Sequence, residues 1–178
     1  MEENKRSISA NALIYGLITG GVMVIFGLLL FILNQHLNRT ISYITYLFLI
    51  AGMAWGTLAY RKKQLNGFIS YGKAFTSCFL IGLFAGILAA IYTFIFATLI
   101  HPGFTQELLD QSREQILERT PEISEEQLDV AMNYTEKFTS PVMLMVFGLI
   151  IYTIVSAIIS LIIAIFIRKE DKQSNPVV

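Results

Sequence analysis

Four carboxylates, Glu107, Asp110, Glu114 and Glu118, recur at a spacing that places them within an arc of roughly 80° on a helix wound at about 100° per residue. Oxygen ligands grouped in this way could hold a hard cation such as calcium or magnesium. A row of acids on one helix face is also what a solvated surface looks like, and the spacing alone favours that plainer reading. The two histidines, His36 and His101, each stand at the outer end of an apolar run. A metal centre needs three or four ligands in fixed geometry, and neither a histidine pair nor a His–Cys cluster occurs, so no metal is expected. The single cysteine, Cys78, can form no disulfide within the chain and reads as a small packing residue. No G-x-S-x-G, H-E-x-x-H, P-loop or Cys–His arrangement appears, so neither an enzyme nor a cofactor is expected.

The elements that must position these groups are apolar helices. Of 178 residues, 54% are hydrophobic and only 15% charged, against about a quarter charged in an ordinary soluble domain. The formal net charge is zero, and no basic surface for nucleic acid is visible. Four runs without an ionisable Asp, Glu, His, Lys or Arg, at 10–33, 41–60, 74–100 and 142–167, approach or exceed the ~20 residues that a bilayer-spanning helix needs. The third is the longest, its twenty-seven residues lying between Lys73 and His101. The first follows Lys5 and Arg6 but is too long for a signal-peptide core and lacks a cleavage signature, so it reads as an uncleaved span. The expected fold is all-α: one integral membrane domain over 1–178, a four-helix transmembrane bundle with an extracytoplasmic amphipathic helical hairpin between its third and fourth helices.

Each span carries small residues on one face. Gly16 and Gly20 lie in the first, Gly52 and Gly56 in the second, Gly82 and Gly86 in the third, and Gly148, Ser156 and Ser160 in the fourth. Such strips let helix backbones approach closely, here within one monomer or, if a strip faces outward, in a homo-oligomer. Orientation follows from the basic residues. Nine lie on one side, namely Lys5, Arg6, Arg61, Lys62, Lys63, Lys73, Arg168, Lys169 and Lys172, against Arg39, Arg113, Arg119 and Lys137 on the other. Both termini are therefore expected to be cytoplasmic.

The loop at 101–140 divides at Thr120-Pro121 into two amphipathic halves. In the second half Ser124-Glu-Glu-Gln127 forms a capping box, with Ile123 and Leu128 placed as a hydrophobic staple. The loop carries nine carboxylates against Arg113, Arg119 and Lys137, a net charge of −6, which would keep it away from anionic headgroups and available to a basic partner or divalent cations.

Within the spans the polar side chains are mostly hydroxyls, such as Thr19, Thr57, Ser77, Ser156 and Ser160. Their ordinary role is to bond a carbonyl one turn back or a neighbouring helix, at about 0.6 kcal/mol each. No span is broken by proline, so the interrupted helices of secondary transporters are absent.

The stretch Gly67-Phe-Ile-Ser-Tyr-Gly72-Lys-Ala-Phe75, the end Ile100-His-Pro102-Gly-Phe104, the helix start Ile123-Ser-Glu-Glu-Gln127 and the last apolar run into Arg168-Lys169 together resemble the bacterial membrane family catalogued as domain of unknown function 4199. The resemblance covers nearly the whole chain. It implies four spans in the cytoplasmic (inner) membrane of a bacterium, and brings no activity and no catalytic residues. Two function classes follow. One is a structural or interaction module of the cell envelope, in contact with membrane lipid and with an envelope protein or a second copy. The other is a small oligomeric channel or uncoupled transporter, which would need a polar path through the full depth of the membrane.

Overall fold

The computed structural model describes residues 7–169. Helix α1 (Ile8–Ile32) starts at Ser7, whose Oγ accepts from the Ala10 amide at 3.2 Å and so satisfies one of the unpaired first-turn donors. It ends in a tight reversal through Asn34, which adopts a left-handed φ of 54° that asparagine tolerates better than most residues. Asn38 Oδ1 then accepts from the amides of Thr40 and Ile41 and caps the short α2 (Arg39–Ser42).

Helix α3 (Ile44–Gln64) carries Arg61, Lys62 and Lys63 in its last turn. It extends four residues past the boundary expected at 60, because cations at a helix C-terminus complement the dipole and their long stems prolong the apolar surface. The turn at 65–70 passes through Asn66 and Gly67, with φ of 51° and 87°, and Ile69 then exchanges two backbone hydrogen bonds with Lys169, at 2.8 and 2.9 Å. Helix α4 (Tyr71–Ile95) begins before the expected residue 74, so Lys73 lies inside its first turn. The helix then widens into a π turn, Phe96–Ile100, which closes when the His101 amide reaches back to the Phe96 carbonyl at 2.7 Å. After it come α5 (Phe104–Arg119), α6 (Glu125–Thr139) and α7 (Pro141–Ile167). Pro141 stands at the first position of α7, where its missing N–H costs nothing.

Four helices are long and apolar enough to cross a membrane: Ile8–Ile32, Thr40–Gln64, Tyr71–Ile100 and Pro141–Ile167. The chain forms two compact units, one made of the residues up to Ala89 with those from Ile151 onward, the other of Ala90–Ile150. In the first, small residues set the spacing of the helices. A Cβ built on Gly16 of α1 would lie 2.6 Å from Phe84 Cβ and 2.9 Å from the Ile81 carbonyl oxygen of α4. A Cβ on Gly56 of α3 would lie 2.7 Å from both Tyr15 Cβ and Ile81 Cδ1. Gly82 and Gly86 of α4 take in Ser156 and Tyr152 of α7, whose Cβ atoms would be 2.6 and 2.7 Å from the added carbons. Leu49, Met53, Cys78 and Ile81 fill the centre and are fully buried. Apolar side chains also point outward: Ile25 is 60% and Phe166 81% exposed, the inverse of a water-soluble bundle and the surface that hydrocarbon would cover.

In the second unit α5 and α6 pack on each other. The α6 start has the full capping box, with Gln127 N donating to Ser124 Oγ at 3.3 Å and Ser124 N donating to Gln127 Oε1 at 3.4 Å. Leu128, one turn on, is buried. Phe138 is 53% exposed, and its ring meets that of Phe147 at 5.7 Å.

Candidate functional site

The four carboxylates of α5 are not equivalent. Glu107 lies in the first turn, where the helix dipole favours an anion, and its Oε1 sits 2.9 Å from His101 Nε2. It faces back toward the widened end of α4, where Phe96 holds Phe104 edge-on at 5.1 Å and stands 6.0 Å from the His101 ring. Asp110 accepts from Gln106 Nε2 at 3.1 Å. Asp110, Glu114 and Glu118 are exposed and, with Arg113 and Leu117, line one open hollow. On the side toward α6, Gln106, Asp110 and Arg113 face Asp129, Asn133 and Glu136 across an open groove of ≈ 290 Å³. The acidic surface is therefore made by both helices rather than by one face of α5. Three carboxylates around a single guanidinium suit a cationic side chain or a hydrated cation at the rim.

Thr19, Thr57, Ser77, Ser156 and Ser160 of the first unit are closed in. Thr57 Oγ1 donates to Ser77 Oγ at 3.1 Å and lies 3.1 Å from Cys78 Sγ, joining α3 to α4. Thr19 Oγ1 donates to the Tyr15 carbonyl one turn back at 2.7 Å and Thr76 Oγ1 likewise to that of Gly72; in the second unit Thr98 Oγ1 donates to the Phe94 carbonyl. Ser156 and Ser160 are fully buried, and their Oγ atoms have no hydrogen-bond partner among the described residues. Ser156 lies against Gly82, so a small side chain there serves close approach rather than polar chemistry. Gly148 differs from the other strip glycines, since nothing lies within 4 Å of a Cβ built on it.

The chain matches, over residues 14–169, the model of a family described as Protein of unknown function (DUF4199). It belongs to that family. The DUF4199 match includes α5 and α6 together with nearly all of the four apolar helices. No curated protein and no solved structure matches the chain.

Two side chains with structural work to do gave no periodic signal. Asn11, just before the DUF4199 match begins, is buried and donates through Nδ2 to the Gly56 carbonyl at 3.2 Å, tying α1 to α3. A single amide inside an apolar run was the available clue. Arg61 reads in sequence as one of three cations after a span, yet its Nη1 donates to the Ile167 carbonyl at 2.7 Å, and its Nε is shielded from solvent with no acceptor among the described residues. No local pattern marks such a bond, because its partner lies 106 residues away.

Proposed function

We propose that this DUF4199 protein is a multi-pass interaction module of a bacterial cytoplasmic membrane, with both termini inside and the α5–α6 pair outside as its partner-facing surface. The observation that carries this reading is the segregation of charge. All nine carboxylates among the described residues lie between Glu107 and Glu136, and Asp110 of α5 meets Asp129 and Glu136 of α6 across a shared groove. The partner that fits is a basic segment of an envelope protein, drawn by a net charge of −6 and docked on the carboxylates around Arg113. The closed hydroxyls weigh against a channel, because Thr57 and Ser77 bond each other between packed helices instead of lining a path.

The test is co-purification from native membranes. Asp110→Gln, Glu114→Gln and Glu118→Gln together should lose the co-purifying protein while leaving the fold intact. Glu107→Gln alone should retain it, since Glu107 is engaged with His101. An unchanged set of partners with the triple variant would reduce the acidic pair to a solvated surface.

A further inference from the structure

The first unit gathers cations at the ends of α3 and α7 and at the start of α4. Arg61, Lys62 and Lys63 end α3, Lys73 opens α4, and Arg168 and Lys169 follow α7. Three links bring them to one place. Arg61 Nη1 holds the last carbonyl of α7, at Ile167. The paired backbone of Ile69 and Lys169 fixes the chain after α7 beside the α3–α4 turn. Lys169 Nζ lies 5.6 Å from the centre of the Phe68 ring, a cation–π distance. The described residues of this unit contain no aspartate or glutamate, so none of these six charges has a carboxylate partner among them. Arg61 moreover keeps a buried Nε–H with no acceptor among the described residues, a donor that is costly to leave unpaired.

We propose that this end of the unit is a binding site for the phosphate of an anionic phospholipid, with Arg61, Arg168 and Lys169 as its principal donors. The site rests on the membrane reading above, which puts the ends of α3 and α7 and the start of α4 at headgroup depth. A phosphate bridges several donors at once in the planar geometry guanidinium favours, and the Arg168 and Lys169 side chains are exposed to meet it. Phe68, 39% exposed beside the Lys169 ammonium, offers an apolar edge for the adjoining glycerol and acyl carbons. A lipid is favoured over free phosphate because the outward faces of α1 and α7 at this unit are apolar, so hydrocarbon and headgroup are held by one continuous surface.

The full chain, purified in a mild detergent, would be titrated with phosphatidylglycerol, phosphatidylcholine and inorganic phosphate, with bound lipid counted by native mass spectrometry and the thermal midpoint followed in parallel. Phosphatidylglycerol should bind and raise the midpoint, phosphatidylcholine should bind at least ten-fold more weakly, and inorganic phosphate should not substitute. Each charge removed should weaken the lipid by about five-fold. Arg168→Gln with Lys169→Gln tests this without touching the Arg61 bond to Ile167, and Lys137→Gln in the other unit should change nothing. Equal binding of the two lipids, or an undiminished preference in the double variant, would overturn the site. So would a preference that appears only after Glu170→Gln and Asp171→Asn, because the chain's own carboxylates would then be the occupant. Alkaline carbonate extraction of membranes separates this failure from that of the membrane reading: a chain released by carbonate defeats both, whereas one retained without lipid discrimination defeats the lipid site alone.

Discussion

The two units solve opposite problems with the same element. In the first, α1, α3, α4 and α7 come so close that Gly16, Gly56, Gly82 and Gly86 leave no room for a methyl group, and most of the outward surface is apolar. Association there cannot rely on the hydrophobic effect where the surroundings are hydrocarbon, so it relies on contact and on a few hydrogen bonds between helices. In the second, α5 has no buried residue at all, and α6 is held by its capping box and by Leu128. Its helices depend on local signals and on water around their charges. The difference teaches where each kind of mutation will be felt: steric changes in the first unit, charge and capping changes in the second.

The largest effect is expected from Gly82→Leu combined with Gly86→Leu, which would drive side chains into Ser156 and Tyr152 and force α4 from α7. Overpacking of this kind costs about 1–3 kcal/mol per site, so the pair should unfold the protein in detergent or lower its thermal midpoint sharply. Gly148→Ala is the matched control, with open space around the new carbon, and should leave the midpoint unchanged. A stable double variant would mean that the close approach is not what holds these helices.

A smaller loss belongs to the other unit. Ser124→Ala removes the cap of α6 and should cost about 1 kcal/mol, read as faster amide exchange over α6 while α1 and α3 keep their protection. If exchange quickened equally in both units, the two would not be energetically distinct. Smaller again is Asn11→Ala, which deletes the bond to the Gly56 carbonyl and should lower stability by roughly 0.6 kcal/mol, the average for an interhelical hydrogen bond in a membrane protein. A loss several times larger would assign Asn11 a role beyond that bond.

Much of this was legible in the sequence because the signals are local or periodic. The four apolar runs show in composition alone, the α6 start in Ser124-Glu-Glu-Gln127, and the turn at 65–70 in Asn66-Gly67. Span ends were less so: α3 runs on to Gln64 and α4 begins at Tyr71, because basic and aromatic residues at a boundary remain good helix formers. The π turn at Phe96–Ile100 has no composition of its own. The glycine strips announced close packing without naming partners, and a spacing of four could not separate Gly82, which meets Ser156, from Gly148, which meets nothing. The division of the α5 carboxylates was hidden for a similar reason, since helical periodicity places Glu107 with Asp110 but says nothing of His101 beyond the helix start.

The central claim, that the acidic pair and the basic ends lie on opposite sides of a membrane, is tested most directly by thiol accessibility in intact cells. In a Cys78→Ala background, Glu118→Cys and Asn66→Cys would each be treated with a membrane-impermeant maleimide before and after permeabilisation. Both positions are exposed, so reactivity reports sidedness rather than burial. The account predicts that Glu118→Cys labels at once and Asn66→Cys only after permeabilisation. Labelling of both from the same side, or of Asn66→Cys alone from outside, would contradict it.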